Sequence, residues 1–303
     1  MRDDVGSSAT WDRAVGTKER AEGRRPEGAG RRPRLGFLGV NVALAVLAVL
    51  TLFPLAWMVS ASFMAPGEAS RYPPPFLPAS ATLENYRLLF VEHGLVRQAF
   101  NSLLIALLAT ALSLTFNLTA GYAFAKLRFR GREHIFRLLL SALVVPAQIT
   151  MMPLFLMLKR MGLVNSIAGV LVPWLASVFG IYLVREYARS IPDEMLEAAR
   201  IDGAGEGRIF VQVVLPLLKP IIVTTAVLAF LGSWNDFMWP LIVLTGHDMQ
   251  TLPVALATLS REHVQDVELM MAGAVITVLP VLVLFLALQR YYMQGLMVGS
   301  VKG

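Results

Sequence analysis

The chain has 303 residues, of which 56% are hydrophobic and 16% charged, and its mean hydropathy of +0.60 is too high for a soluble domain of this length. It contains no cysteine, which excludes disulfides, thiolate catalysis and cysteine metal sites. The net charge of +6 does not indicate nucleic-acid binding, because the basic residues cluster beside the ends of apolar stretches.

The first 34 residues are rich in glycine, proline and charge, with several arginines just before the first apolar stretch. We expect residues 1–34 to form a disordered basic tail in the cytoplasm. The apolar stretch that follows is too long for the core of a signal peptide and has no convincing cleavage site, so it predicts a retained first helix. Residues 35–303 then form one membrane domain.

Six apolar stretches are long enough to cross a bilayer, which takes about 20 residues of helix. Segments of this length must be helical, because every backbone group in lipid needs a partner within the segment. The sequence therefore predicts an all-α polytopic membrane protein with six transmembrane helices. The expected spans are 36–60, 101–124, 136–158, 167–187, 221–245 and 272–290.

The distribution of basic residues sets the expected orientation of these spans. Segments 125–135 and 190–220 both carry several lysines or arginines, so we expect them in the cytoplasm together with both termini. The long segment 61–100 then lies outside, with an interfacial helix near 84–92.

The segment 190–220 is the longest polar interruption among the later spans. Ser190 followed by Asp193 resembles a capping box with Pro192 in the first turn, and predicts a short helix from about residue 191 to 202. Gly203 suits the left-handed conformation that ends a helix. Small side chains at 198 and 199 allow a partner to approach closely, and Glu197 offers a charge to an Arg or Lys of that partner.

The same segment resembles the EAA loop of membrane subunits of binding-protein-dependent ABC importers. It has Glu197-Ala198-Ala199, then Gly203, Val213 and Leu215-Pro216 at the family's spacing. In that family the loop forms a coupling helix that sits in a cleft of the cytoplasmic ATPase. The resemblance implies that ATPase coupling depends on Glu197, Ala198, Ala199, Asp202, Gly203, Leu215 and Pro216.

Three further stretches strengthen the resemblance. Residues 101–131 resemble the start of the core permease domain that these importers share, while 231–240 and the C-terminal stretch 289–303 resemble their carbohydrate branch. They imply the type I ABC importer permease fold. In maltose-type relatives the C-terminal end reaches between the ATPase subunits, which implies an interface role for Gln294, Gly295 and Gly299. An exposed end without a partner is the alternative.

The resemblance also implies the partners of the chain. These are a second permease subunit, two cytoplasmic ABC ATPase subunits and an extracytoplasmic solute-binding protein, assembled in a bacterial cytoplasmic (inner) membrane. The chain has no GxxxxGK[ST] motif and no His-Glu-x-x-His motif, so we expect it to bind no cofactor or metal and not to be an enzyme. ATP and Mg²⁺ are expected on the partner ATPase.

Asn235 and Asp236 lie inside an apolar span, where an ionisable residue indicates function by default. With Trp234 and Trp239 they offer hydrogen-bond acceptors and aromatic faces suited to a sugar pathway. The alternative is that they satisfy backbone groups freed by Pro240 or hold helices together.

Together these features predict a permease subunit that imports a sugar or oligosaccharide. One alternative is an importer subunit for glycerol phosphate or another polar solute. A second is an ion-coupled secondary transporter, which would need several intramembrane charges where the spans show one aspartate. A third, an intramembrane protease, lacks its metal motif.

Overall fold

The computed structural model describes residues 34–262 and 266–300, with side chains described for 39–261 and 266–289. It divides into two units, Met1–Pro54 and Leu55–Gly303. Helix α1 (Arg34–Ala61) starts in the first unit, where its side chains from 39 to 54 are exposed. Residues 1–33 of the predicted tail lie outside the described residues, while Arg34 already belongs to α1.

All regular elements within the described ranges are helices or helical turns, which confirms the predicted all-α class. After α1 the helices are α2 (Glu84–Arg87), α3 (Leu95–Lys126), α4 (Arg132–Ser141), α5 (Ala147–Arg160), α6 (Ile167–Leu171), α7 (Val178–Arg189), α8 (Asp193–Ile201), α9 (Glu206–Ile209), α10 (Leu215–Leu217), α11 (Lys219–Trp234), α12 (Met238–Val243), α13 (Leu252–Glu262) and α14 (Val267–Ser300).

In the described part of the chain, three helices are long and apolar enough to cross a membrane, or up to six if each of three bent helix pairs counts as one span. The uninterrupted ones are Gly39–Ala61, Leu95–Lys126 and Val267–Gln289, which coincide with the predicted first, second and sixth spans. The predicted third and fourth spans are broken, by bends of 104° and 43°. Proline explains the sharper bend, since Pro146 precedes α5 in an extended conformation.

The predicted fifth span, 221–245, is also interrupted. Helix α11 ends at Trp234, and the short α12 starts only at Met238. An 81° bend precedes α11, so the stretch Glu206–Leu217 runs in a different direction from the span that follows it. The predicted fifth span therefore consists of α11, a break and the short helix α12.

Helix α3 is the centre of the second unit and packs against α7, α11 and α13. Every fourth residue along one of its faces is buried, from Ile105 to Gly121. Several of these are small, which lets helices approach closely in a membrane. At Gly121, an added Cβ would lie 2.5 Å from Val184 Cγ1, so the contact between α3 and α7 requires glycine.

The segment between α1 and α3 packs into a defined structure. The buried carboxylate of Glu68 accepts hydrogen bonds from the backbone N–H of Ala65 and Ala79, and Glu268 of α14 accepts one from Ala69. Asn85 donates to two carbonyls of the same segment. The helix expected near 84–92 is present as α2 and a following π-helical turn, Leu88–Glu92.

Candidate functional site

Helix α8 is the centre of the polar elbow between α7 and α11. It follows Pro192, has Asp193 and Glu194 in its first turn and Arg200 in its last, which is the charge order that the helix dipole favours. Gly203 has φ +82°, and its N–H donates to the carbonyl of Arg200. The predicted helix and its left-handed glycine end are therefore confirmed.

The predicted capping box is wrong. The Ser190 hydroxyl donates to the carbonyl of Tyr187, 2.7 Å away, and so serves the end of α7 rather than the start of α8. Pro192 precedes the helix in an extended conformation. After Gly203 the chain returns to a helix within a few residues, because Gly205 is the N-cap of α9 and Gly207 lies inside it.

The inner face of α8 is fixed to the helical bundle by apolar contacts. Leu196 is 1% exposed and belongs to a cluster with Tyr122 of α3, Val184 of α7 and Ile209 of α9. Ala199 is half-buried and packs on the same cluster. The small residue at 199 therefore allows α8 to lie close to its own bundle.

Lys126 gives α8 a first electrostatic connection to α3. Its Nζ lies 2.6 Å from Asp193 Oδ1 and 2.5 Å from the carbonyl oxygen of Ile191, and its side chain is 6% exposed. The hydrogen bond from Lys126 holds the pKa of Asp193 below its ordinary value. Lys126, the last residue of α3, thus connects that helix to the start of α8.

Glu206 gives the elbow a second connection to α3. Its carboxylate accepts a hydrogen bond from the Tyr122 hydroxyl at 3.0 Å and from Arg200 Nε at 2.8 Å. These bonds, led by the one from Arg200, lower the pKa of Glu206. Because Arg200 is in the last turn of α8, the two connections hold both ends of that helix.

The outer face of α8 is exposed. It carries two large apolar side chains, Met195 at 43% and Ile201 at 87% exposure. The predicted coupling residues Glu197, Ala198, Asp202 and Gly203 are exposed with them. Leu215 is half-buried against the apolar cluster that contains Leu196, whereas Pro216 is exposed in the first turn of α10.

Arg185 of α7 is a buried cation that sequence reasoning missed. Its guanidinium forms an ion pair with Glu133 at 2.9 Å, donates to the carbonyl of Phe124 and lies 4.0 Å from the centre of the Phe136 ring. It thereby joins α7 to α4 and to the end of α3, beside the elbow. An arginine just inside the end of an apolar span is the signal that could have indicated it.

The predicted pathway residues at the break between α11 and α12 have different environments. Trp234 is 2% exposed, stacks on Phe230 and donates its indole N–H to the carbonyl of Thr277. Asn235 is exposed and donates to the carbonyl of Leu231, four residues earlier. Trp234 thus joins α11 to α14, and Asn235 satisfies a carbonyl at the end of α11. A pathway role for these two residues stays a prediction.

Asp236 and Trp239 instead line a cavity of about 530 Å³ between α5, the start of α7 and the break after α11. Asp236 Oδ1 accepts a 3.4 Å hydrogen bond from the Trp239 N–H, and Trp174 lines the same cavity. The Trp239 indole N–H donates to the carbonyl of Gly169. Two indole rings and a carboxylate thus meet at one cavity.

Asn117 of α3 supports the neighbouring break before α7. Its Oδ1 accepts a hydrogen bond from the backbone N–H of Ser177 at 3.0 Å, and its Nδ2 donates to Ser113 Oγ. The Ser177 hydroxyl accepts from the N–H of Gly180. A smaller cavity of about 210 Å³ adjoins this point and shares Trp174 and Ser177 with the larger one.

The C-terminal residues predicted at an ATPase interface continue helix α14, whose backbone extends to Ser300. Side chains from residue 290 onward lie outside the described residues, and so do residues 301–303. The predicted interface role of Gln294, Gly295 and Gly299 therefore stays a prediction.

Two solved structures that are similar to this chain are transporters. One is a bacterial ABC transporter involved in the import of the acidic polysaccharide alginate, with a TM-score of 0.78 and 24% identity, covering 87% of this chain and 98% of the other. A second, the bacterial alginate ABC transporter in complex with an alginate pentasaccharide-bound periplasmic protein, gives a TM-score of 0.62 at 14% identity and covers 84% and 92% of the two chains. They show that the fold is shared.

Curated relatives are more similar in sequence. The arabinooligosaccharides transport system permease protein AraQ of Halalkalibacterium halodurans is 39% identical, over 87% of this chain and 96% of its own length. The lactose transport system permease protein LacG of Rhizobium radiobacter is 33% identical over 86% and 94%. Residues 117–298 match the family model for the inner membrane component of binding-protein-dependent transport systems. This chain therefore belongs to that family, as an integral membrane permease subunit of an ABC importer.

Proposed function

We propose that this chain is one of two membrane subunits of an ATP-driven importer, and that α8 receives the movement of a cytoplasmic ATPase. The proposal rests on the difference between the two faces of α8. Its outer face is exposed and partly apolar, with Ile201 at 87% exposure, while its inner face holds the buried Leu196. A partner that displaces the outer face must displace α3 and α7 with it.

The contacts at each end of α8 support this transmission. Lys126 of α3 forms an ion pair at the start of α8. Tyr122 of α3 is connected to the end of α8 because Glu206 accepts hydrogen bonds from both Tyr122 and Arg200. Both connections join α8 to α3, the central helix of the second unit. A motion of α8 thus reaches the helices that line the cavity at Asp236 without passing through a flexible loop.

The energy for this motion comes from the partners. The sequence has no GxxxxGK[ST] motif, so we propose that ATP and Mg²⁺ are bound by the two ATPase subunits rather than by this chain. Glu197, exposed on α8, faces an Arg or Lys of the ATPase, and the nearby Ala198 lets the two surfaces approach closely. A second permease subunit supplies an equivalent elbow for the second ATPase.

The imported solute is an oligosaccharide that an extracytoplasmic binding protein delivers. Relatives with this proposed substrate class include permease proteins of systems for arabinooligosaccharides, lactose and melibiose, raffinose and stachyose. One similar solved structure includes an oligosaccharide-bound periplasmic protein. Aromatic rings and hydroxyl groups line the cavity at Asp236, as sugar sites require.

The orientation that we propose places both termini and the elbow in the cytoplasm of a bacterial inner membrane. Two predicted cytoplasmic segments, 125–135 and 190–220, meet through the Lys126–Asp193 ion pair. Arg97, in the predicted external segment 61–100, pairs with Asp248, and Asn101, at the start of the predicted second span, donates to the carbonyls of Asp248 and Gln250. The stretch that follows the predicted fifth span thus meets the external segment. These contacts are what a single consistent topology requires.

Charge reversal at Glu197 tests the coupling proposal. In the complete importer, Glu197→Lys places a cation against the proposed Arg or Lys of the ATPase, and we expect at least about a tenfold weaker association with the ATPase. Sugar uptake should fall with it while membrane insertion is unchanged. Co-purification of the ATPase and uptake into vesicles measure the two effects.

Glu92→Lys is the matched control, because Glu92 is also exposed but lies on the segment proposed to be external. It makes the same charge change and should leave ATPase association at the wild-type level. Wild-type association and uptake in Glu197→Lys would contradict the coupling role of α8.

A further inference from the structure

The cavity beside the break between α11 and α12 has more structure than helix packing requires. Its volume of about 530 Å³ is within the range of small-molecule sites. An added Cβ at Gly232 would come within 2.7 Å of the Trp174 ring, so glycine at 232 is what lets that ring lie against α11. The ring is thereby held beside the cavity in a fixed position.

The polar groups of the cavity suit sugar hydroxyls. Thr150, Ser177 and the Asp236 carboxylate lie among the rings of Trp174, Phe179 and Trp239. The Trp239 indole N–H already donates to Gly169, so this residue offers the cavity its apolar ring rather than its donor. A carboxylate accepts hydrogen bonds and donates none, which complements hydroxyl groups.

Among the described residues that line this cavity, Asp236 is the one with an ionisable side chain, and none is a lysine or arginine. An importer subunit for glycerol phosphate or a uronic acid would need a cation or free donors at the solute. The carboxylate of Asp236 repels such anions instead. The electrostatics of the cavity therefore favour uncharged solutes.

We propose that this cavity is a solute-contact subsite for uncharged sugars, in which Trp174 and Trp239 supply the stacking faces and Asp236 accepts a hydroxyl and disfavours anions. The proposal rests on the proposed import function and adds the charge class of the solute. It also assigns direct solute contact to this chain rather than to its partner subunits alone.

Asp236 has a structural contact as well, because it accepts a hydrogen bond from the Trp239 N–H. That contact needs an oxygen acceptor but no charge, so Asp236→Asn retains it while removing the carboxylate. An effect of Asp236→Asn on charge selection thus separates the proposed role from a role in capping α12.

The natural absence of cysteine allows the cavity to be probed directly. Thr150→Cys places a thiol on the cavity wall in the complete importer, where Thr150 is exposed and its hydroxyl bonds only within its own helix, to Ala147. The probes are a cationic and an anionic methanethiosulfonate of similar size. Labelling of this chain is followed by mass spectrometry, in the resting complex and with ATP bound.

Ser80→Cys is the control. Ser80 is also exposed, lies on the segment proposed to be external, where the reagents reach it from water, and does not line the cavity. Dividing the rates at 150 by those at 80 removes the intrinsic difference between the two reagents. We expect the cation to react about tenfold faster than the anion at 150, and this preference to vanish in T150C/D236N.

Two results would overturn the proposal. One is a thiol at 150 that reacts with neither reagent in either state, because the cavity would then have no path to water. The other is a cation preference below twofold, or one that Asp236→Asn leaves unchanged. Sugar uptake by the unmodified importer is a separate measurement, so a failed subsite and a failed import function give different results.

Discussion

The elbow around α8 and the broken spans around the cavity solve the same problem in different ways. Both interrupt a helix and must satisfy the backbone groups that the interruption frees. At the elbow, a left-handed Gly203 ends the helix and ion pairs such as Lys126–Asp193 hold it in place. At the cavity, the Asn117 amide accepts from the N–H of Ser177 instead.

Asn165 is a second amide that satisfies backbone groups at a break away from the elbow. It has a left-handed conformation with φ 57°, and its Oδ1 accepts hydrogen bonds from the N–H groups of Thr245 and Gly246. An uncharged amide offers a donor and an acceptor without the cost of desolvating a charge. Asp236 differs from these two amides because it places an ionisable carboxylate at a break in a span.

The largest effect is expected where the elbow depends on backbone conformation. Gly203→Pro forces φ from +82° to about −65° and removes the N–H that donates to Arg200, at a local cost of about 3 kcal/mol or more. Because α8 then loses its defined end, we expect uptake to fall to background while the protein still inserts. Uptake into vesicles and quantification of the membrane-inserted chain check this.

Gly205→Pro is the control for that experiment, since Gly205 has φ −72°, which proline adopts without strain. It should retain most of the uptake. Equal loss in the two variants would show that proline harms the elbow through some property other than the conformation at 203.

A smaller effect is expected at the membrane break. Asn117→Ala leaves the N–H of Ser177 without its acceptor, and we expect a loss of about 1 kcal/mol in the free energy of unfolding. Thr115→Ala on the same helix removes an exposed hydroxyl that bonds only within α3, and should change the stability little. Denaturant unfolding of the purified subunit compares them, and equal stabilities would mean that the amide contributes nothing to the break.

The two regions also differ in how far the sequence predicts them. The end of α8 at Gly203 follows from local signals, namely a glycine after an amphipathic turn, and its prediction is confirmed. The capping box failed for a local reason too, because α7 ends so close to α8 that Ser190 bonds backwards to Tyr187. Signals within a few residues thus decide the limits of helices but not which of two adjacent helices a side chain serves.

The contacts at the membrane break cannot be derived from local signals. Asn117 and Ser177 are 60 residues apart, and Trp239 bonds to the carbonyl of Gly169, 70 residues away. The sequence placed Trp234 and Asp236 in one group because they are two residues apart, yet Trp234 is packed against α14 and Asp236 lines the cavity. Only the arrangement of α3, α7 and α11 separates a structural tryptophan from a cavity-lining carboxylate.

The smallest effect concerns pH and distinguishes the charged elbow from the uncharged break. A hydrogen bond from Lys126 holds the pKa of Asp193 below its ordinary value of 3.8, and Arg200 does the same for Glu206, whose ordinary value is 4.5. A lowered pKa stabilises the folded state above the ordinary value and loses this contribution as the pH falls through the folded value. The protection of α8 should therefore stay constant between about pH 5 and 8 and decline only below about pH 4.

Hydrogen exchange of the α8 amides, corrected for intrinsic rates, measures that protection against pH. Lys126→Met is the informative comparison, because it removes the cation that lowers the pKa of Asp193 and frees the carbonyl of Ile191. We expect weaker protection of α8 in this variant already at neutral pH, together with a smaller further loss on acidification. A wild-type elbow that loosens between pH 6 and 7 would contradict the assignment, since neither carboxylate titrates there, and would place the control of α8 in another group.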